Sequence, residues 1–533
     1  MIRLEDVSLS IGHLSILRDV DLDIAPGKVT GLVGESGSGK SMTALAIMQL
    51  LPKGSDVGGQ VILDHSNILE LSERDMCALR GNRIGMIFQE PMTALNPVKT
   101  IGDQVMETLL IHTSHTRREA REIAREKLAR VGLPEDRFPL TRFPHELSGG
   151  QRQRVCIAMA IALSPELLIA DEPTTALDVT TQAQILDLLR DLVADEGMSL
   201  LLITHDLAVV AGMADFVAVM QHGEIVEQGA TAQLFRHMRH PYTRQLFAAS
   251  SHAPTRNIVP QDDPILEVRN AVRDYTLPRT SLIGPAPKFR AVNGVSFTLN
   301  HGESLGLVGE SGCGKSTLTR AILGLEPIQA GEIRAFGEAV GPTFPNALKS
   351  GIQVVFQDPY GSFNPRWKVA RLVAEPFHLL DARPEDWRAR VATALTDVGM
   401  EPAAMERYIH EFSGGQRQRI AIARALILRP DIIILDEAVS ALDVSVRAQV
   451  LDLLADLQAA YGLAYLFISH DLSVVRAITD RVLVMQAGEI VEEGPTEAVF
   501  TTPRHPYTQE LIKAAPVIPA EWKVHENGQA PVV

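Results

Sequence analysis

Short apolar runs that end in glycine, an acid or histidine recur along this chain. In the first half they read VTGLVG (29–34), LLIAD (167–171) and LLLITH (200–205). In the second half they read SLGLVG (304–309), IIILD (432–436) and YLFISH (465–470). Each run is strand-sized, and unbroken apolar runs suit strands buried on both faces of a parallel sheet. Helical patterns lie between them. One of these, TRREAREIAREKLARVG (116–132), is charged along much of its length and reads as a solvated helix without chemistry of its own. The pattern predicts an α/β fold, and open α/β sheets bind ligands in the loops beyond the carboxyl ends of their strands.

The pattern is written twice. GLVGESGSGKS (31–41) returns as GLVGESGCGKS (306–316), IFQEP (87–91) as VFQDP (355–359), and SGGQRQR (148–154) at 413–419. TALD and SALD, THDL and SHDL, and the two HPYT segments (240–243 and 505–508) keep the last spacing. A period this long means two homologous domains in tandem, not a solenoid. The expected division is 1–252, a linker at 253–263 in a polar, proline-bearing stretch, 264–515, and a tail at 516–533. YTLPRTSLIGPAPKFR (275–290) reads as a loop inserted among the early strands of the second copy. The tail, PAEWKVHENGQAPVV, is expected to be disordered.

Charge and cysteine content narrow the classes. Lys and Arg number 50 against 65 Asp and Glu, a net charge of −15, which disfavours sequence-independent nucleic-acid binding. The three cysteines, Cys77, Cys156 and Cys313, match no metal spacing, so neither a disulfide scaffold nor an iron–sulfur cluster is expected. A reducing compartment suits them. No signal peptide is visible and no apolar run has the length of a membrane span, so the chain is expected to be soluble or peripheral.

GESGSGKS (34–41) and GESGCGKS (309–316) fit a phosphate-binding loop. Each follows an apolar strand and opens an apolar helix. The candidate contacts are Gly34, Glu35, Ser36, Gly37, Ser38, Gly39, Lys40, Ser41 and Met42, and in the second copy Gly309, Glu310, Ser311, Gly312, Cys313, Gly314, Lys315, Ser316 and Thr317. Glycines let backbone N–H groups curl around phosphates, and the helix points its positive end at them. Lys40 and Lys315 should reach the terminal phosphates, and Ser41 and Ser316 should ligate Mg²⁺. Cys313 stands where Ser38 does and reads as a small residue filling a tight turn. The loop's positive field could also lower its pKa.

LLIADEP and IIILDEA end in paired acids. Asp171 and Asp436 are placed beside the metal, while Glu172 and Glu437 face the γ-phosphate, able to orient or deprotonate water. His205 and His470 end another strand at matched positions and are assigned a γ-phosphate contact. Gln89 and Gln357 follow the strands IGMIF and IQVVF and are candidates to complete the Mg²⁺ shell.

Together these residues resemble the ATP-binding cassette ATPases, twice over and across nearly the whole chain. The phosphate loops resemble Walker A, LLIADE and IIILDE Walker B, Gln89 and Gln357 the Q-loop, His205 and His470 the switch histidine, and Asp178 and Asp443 the D-loop. LSGGQ and FSGGQ match the family signature. The resemblance implies two P-loop NTPase domains, each with a RecA-like core, an antiparallel β-subdomain and a helical subdomain. It also implies a head-to-tail pair in which Ser148, Gly149, Gly150 and Gln151 close on the ATP held by Lys315. Ser413, Gly414, Gly415 and Gln416 would close on the ATP held by Lys40. Such ATPases usually stack an aromatic residue on adenine. Tyr275 can serve in the second copy, whereas the first offers only Ile11 or His13.

The HPYT segments, with FQEPMTALNP and FQDPYGSFNP, resemble the dipeptide, oligopeptide and nickel import ATPases in their fused form. Many of those carry a cysteine cluster after HPYT, and none exists here, so no iron–sulfur cluster is expected. The resemblance implies an energy-coupling ATPase using ATP and Mg²⁺, peripheral on the cytoplasmic face of a bacterial inner membrane. Its partners would be two permease subunits and a periplasmic substrate-binding protein, its cargo a peptide. The segments Met92–Pro97 and Tyr360–Pro365 would help form the groove for the permeases. The competing readings are a ribosome-associated tandem ATPase, which usually has a long charged linker, and a DNA-repair cassette, which carries long insertions. Neither feature is visible in the sequence.

Overall fold

A computed structural model describes residues 2–522 other than 176, 257, 278–285, 342–343 and 441. Each half carries two sheets. In the first half, Ile84–Ile87, Leu167–Asp171, Ser199–Thr204, Val29–Val33 and Phe216–Gln221 run parallel in that order, and Glu224–Ala230 closes the edge antiparallel. The second half repeats this order with Ile352–Val355, Ile432–Asp436, Ala464–Ile468, Ser304–Val308, Arg481–Gln486 and Glu489–Pro495. The apolar runs of the sequence are the central strands, buried along their lengths.

The second sheet of each half is antiparallel. Leu14–Ile24, Ile2–Ile11, Ser55–Leu63 and Ser66–Asn67 form it in the first half, and Lys288–Asn300, Pro264–Thr276, Ala330–Ala335 and Glu338–Ala339 in the second. Their side chains largely alternate between buried and exposed. The buried side chains, such as Leu4, Val20 and Val61, share a core with Leu32, Ile169 and Leu201 of the parallel sheet. Helices cover the other face. Ile101–His112, Arg117–Arg130 and Gly149–Ala160 pack together there as a helical layer. The charged helix is capped by a Thr116–Glu119 box and buries only Ala120, Ala124 and Leu128. These layers are the α/β core, β-subdomain and helical subdomain that the repeated motifs imply.

The inserted stretch at 275–290 is described only at its ends. Thr276 closes one strand and Lys288 opens the next, and 278–285 lie outside the described residues. The segment between the halves, from Ser251 to Asp263, is anchored on the second half by His252, Arg256 and Gln261 among the described residues. His252 Nε2 lies 2.7 Å from Asp452 Oδ1. Arg256 forks onto Asp480, with both N–O distances 2.8 Å, and also donates to Gln458 Oε1.

The halves meet through their HPYT helices. Pro241–Ser250 packs on Val444–Tyr461 of the second half, and Pro506–Ala514 packs on Val179–Glu196 of the first. Val444 shares a core with Tyr242 and Phe247, and Val179 shares one with Tyr507 and Leu511.

The expected disorder of the tail does not hold up to Trp522. Its indole stacks on Phe235 of the first half, 5.8 Å between centroids and 18° between planes, with Ile518 packed nearby. The sequence gives no hint of this, because the receiving surface belongs to the other half. Residues 523–533 lie outside the described residues. Replacing a partly buried tryptophan by alanine forfeits about 1–2 kcal/mol of apolar burial. Trp522→Ala should therefore lower the melting temperature by about 2–8 °C and speed proteolysis between the halves. An unchanged melt and digestion pattern would show that the stack contributes nothing.

Candidate functional site

The phosphate loops sit where strands Val29–Val33 and Ser304–Val308 turn into helices Lys40–Ile47 and Lys315–Ile322. Glycine is forced here by crowding. A Cβ on Gly34 would fall 2.2 Å from Met220 O, and one on Gly39 2.7 Å from Leu17 Cδ2. Gly309 meets Met485 O in the same way, at 2.2 Å. The loop therefore lies close against the strands that carry Met220 and Met485, with no room for a side chain at Gly34 or Gly309.

Lys40 is buried, and its ammonium donates to Gly34 O at 2.8 Å and Glu35 O at 2.9 Å. Burial lowers its pKa, partly offset by Glu172, Asp443, Asp171 and Glu35. Lys315 repeats the bonds to Gly309 O and Glu310 O. Ser38 Oγ is buried and has no hydrogen-bond partner. A buried cation satisfied only by carbonyls and an orphaned hydroxyl are a polar cradle short of an anion. They fit a polyphosphate. Ser41 Oγ lies 3.1 Å from Asp171 Oδ1, a pair of hard oxygens suited to Mg²⁺. Burial raises the pKa of Asp171, and brings Asp436 up to about 6 with help from Glu437.

Glu172 and Glu437 follow those strand ends with φ of +47° and +51°. A non-glycine residue in this region costs about 1–3 kcal/mol and persists where its surroundings over-determine it. Here the backbone of Glu172 is tied to Ile203 O at 2.9 Å and that of Glu437 to Ile468 O at 2.8 Å. The kink brings the carboxylate to a meeting point. Glu172 accepts from Gln89 Nε2 and from Thr175 Oγ1, both at 2.9 Å, and lies 3.3 Å from His205 Nδ1. Burial alone would raise its pKa. The bonds from His205 and Thr175, with the Lys40 charge, instead bring it down to about 2. His470 Nδ1 lies 3.4 Å from Glu437, whose pKa is also lowered against burial.

In the second half these residues line one cavity of about 340 Å³. Lys315, Ser316, Thr317, Gln357, Glu437 and His470 face it, and Leu177 and Asp178 enter from the first half. Tyr275 lines it as well. Its hydroxyl lies 2.5 Å from Glu326 Oε2, and the Arg273 guanidinium lies 4.7 Å from its ring centroid. Phe289, which sequence reasoning missed, pairs with Tyr275 across the strands and also faces the cavity. The first half has Ile11 paired with Leu14 at the matching register, while His13 falls in the exposed turn. Ile11, not His13, is thus the positional counterpart of Tyr275.

Ser148 caps the helix Gly149–Ala160, accepting from Gln151 N while Gln151 Oε1 accepts from Ser148 N. Ser413 and Gln416 repeat this box. A Cβ on Gly150 would fall 2.4 Å from Thr181 Cγ2, and one on Gly415 2.3 Å from Val446 Cγ1. Ser148, Gly149, Ser413 and Gly414 are exposed. The structure does not bring these signature residues into the cavity. The D-loops do reach across. Asp443 Oδ1 accepts from Ser36 N at 2.6 Å, and Thr180 Oγ1 donates to Glu310 Oε1 at 2.7 Å. Cys313 is buried, and burial raises its pKa despite Lys315, so the loop's field does not activate it.

Family comparison agrees with this geometry. A model described as "ABC transporter" matches residues 17–175 and again 292–440. The chain belongs to the ABC transporter family. This ABC protein is an ATPase with one nucleotide-binding cassette per half, and each cassette is followed by a match to "Oligopeptide/dipeptide transporter, C-terminal region", at 226–267 and 491–532. It is 48% identical to "Peptidoglycan transport ATP-binding protein YejF" of Agrobacterium fabrum, over 97% of this chain and 96% of that one. It is 47% identical to "Glutathione import ATP-binding protein GsiA" of Escherichia coli, over 95% and 87%. A crystal structure of an archaeal ribosome recycling factor with a ribosomal stalk protein matches 92% of this chain and 90% of that one, at TM-score 0.62 and 21% identity. That likeness concerns the fold alone.

Gly34→Ala should weaken ATP binding to the first cassette by roughly tenfold or more, because the added carbon must displace the Met220 carbonyl. Equilibrium titration with ATP would test this. Unchanged affinity would mean that the loop need not lie against that strand.

Proposed function

We propose that this chain is the ATP-hydrolysing, energy-coupling subunit of an importer for peptides or peptide-like substrates. The observation that carries the reading is the second matched region, an oligopeptide/dipeptide transporter segment closing each cassette. The names of the two relatives, one a glutathione importer and one a peptidoglycan transporter, support a peptide-like cargo. No helix among the described residues is long and apolar enough to cross a membrane. Two membrane-embedded permease subunits would therefore supply the path and a periplasmic binding protein the substrate, with this chain peripheral on the cytoplasmic face of the inner membrane.

Ser41 with Asp171, Ser316 with Asp436, and the side chains of Gln89 and Gln357 would hold Mg²⁺. When bound, that ion neutralises charge on the transferring phosphoryl group. The chain's own residues do the rest. The loop amides with Lys40 or Lys315 hold the phosphates. Glu172, fixed by Gln89, Thr175 and His205, can orient the attacking water or accept its proton. His205 spends Nδ1 on Glu172 and keeps Nε2 for the γ-phosphate. Glu437 and His470 repeat these roles. The D-loop contacts support a head-to-tail arrangement, in which Ser148–Gln151 close on the nucleotide of Lys315 and Ser413–Gln416 on that of Lys40.

Glu172→Gln combined with Glu437→Gln should slow steady-state hydrolysis by about 10²–10⁴-fold while ATP still binds. Wild-type turnover in that variant would refute the water-orienting assignment. Fractionation tests the partners. The chain should sediment with membranes only when two cognate permease subunits are co-expressed, and sedimentation with ribosomes or DNA instead would sink the importer reading.

A further inference from the structure

The HPYT segments have no chemistry that sequence alone discloses, yet each delivers one hydroxyl to the nucleotide site. His240 starts the helix Pro241–Ser250, its Nδ1 accepting from Tyr242 N, with proline at the first helical position. The Glu227 carboxylate fixes the turn by accepting from Arg239 N and His240 N. Tyr242 is buried by this arrangement, and its hydroxyl accepts the N–H of Glu35 at 3.1 Å. The second half repeats it, with Glu492 holding Arg504 N and His505 N, and Tyr507 accepting from Glu310 N at 2.9 Å.

The next amide along the first loop is held from the other cassette, since Ser36 N–H goes to Asp443. Asp443 precedes the helix Val444–Tyr461, the same helix on which Pro241–Ser250 packs. Val444 and Tyr242 share one core. A closed circuit results, from loop to tyrosine, to its helix, to the opposite D-loop helix, to aspartate and back to the next loop residue. Burial raises the pKa of the Tyr242 hydroxyl to about 12, with the charges of Glu35 and Asp443 adding to it, so it stays neutral.

We propose that Tyr242 and Tyr507 are positioning residues that lock each phosphate loop in register with the opposite cassette's D-loop, so that nucleotide occupancy at one loop is felt at the interface between cassettes. The inference rests on ATP occupying that loop. Losing the Tyr242 hydroxyl, and with it the bond to the Glu35 amide, should weaken ATP binding about 2–10-fold. Removing only the hydroxyl keeps the ring packed, so the fold should survive.

The test uses the full-length chain. Binding of a fluorescent trinitrophenyl-ATP and ATP hydrolysis are first measured on wild type. If wild type does neither, the ATPase reading falls and this proposal with it. With wild type active, Tyr242→Phe should raise KM for ATP about 2–10-fold, leave kcat within about twofold and leave the melting temperature unchanged. The circuit adds a readout that a merely structural role would not move. The effects of Tyr242→Phe and Asp443→Asn on KM should combine to less than their product, while Tyr507→Phe and Asp443→Asn should multiply. An unchanged KM in Tyr242→Phe, or simple multiplication in both pairs, overturns the proposal.

Discussion

Everything in each half is arranged around one flat turn of backbone, the residues between Gly34 and Lys40 and their counterparts from Gly309 to Lys315. The turn is held by groups from outside it as well as by its own lysine. Lys40 takes the carbonyls of Gly34 and Glu35, Tyr242 takes the Glu35 amide, and Asp443 takes the Ser36 amide. The strand behind it allows no Cβ at Gly34. These constraints come from four separate parts of the chain, one of them in the other half. The loop is therefore a joint between cassettes as much as a binding site, and its preorganisation depends on the interface being formed.

The two joints share one contact: Asp443 accepts from Ser36 N in the first, and Asp178 engages the backbone of Ser311 in the second. In the second, Asp178 also holds Thr180 and Thr181 of its own helix, and Thr180 reaches across to Glu310. The aromatic pair Tyr275 and Phe289 in the second cassette faces the aliphatic pair Ile11 and Leu14 in the first. An aromatic face attracts a planar base beyond what its area contributes, by about 0.5–1.5 kcal/mol for aromatic pairs. Two sites built from one duplicated plan thus differ in the side chains they would offer a base.

The sequence made the central strands and the candidate site residues at their ends legible because both are local. A buried strand announces itself by continuous apolar residues, and Gly34–Ser41, Asp171, Glu172 and His205 all lie at the ends of such strands. The residues that escaped notice are those whose meaning lies across a register or across the interface. Phe289 gains its role only by pairing with Tyr275. Tyr242 carries no sign of its role in the sequence, because its partner amide is 207 residues away. Trp522 sat in a stretch with the composition of a loose tail, and only the Phe235 surface of the other half makes it ordered. The left-handed φ of Glu172 was hidden for a different reason, since glutamate gives no hint of a conformation it rarely adopts.

The signature glycines show how two functions constrain one residue. Gly150 and Gly415 would suit access to an anion, and a side chain at either position would also strike Thr181 or Val446 of the adjoining D-loop helix. The signature helix and the D-loop helix are therefore in close contact at these glycines. Asp443 already rests on Ser36, while Ser413 and Gly414 remain exposed. In the closure we propose, the D-loop contact is the pivot and the signature the swinging edge. ATP would complete a contact that the tandem chain has already begun, and the ordering cost of bringing the halves together would be largely met before nucleotide arrives.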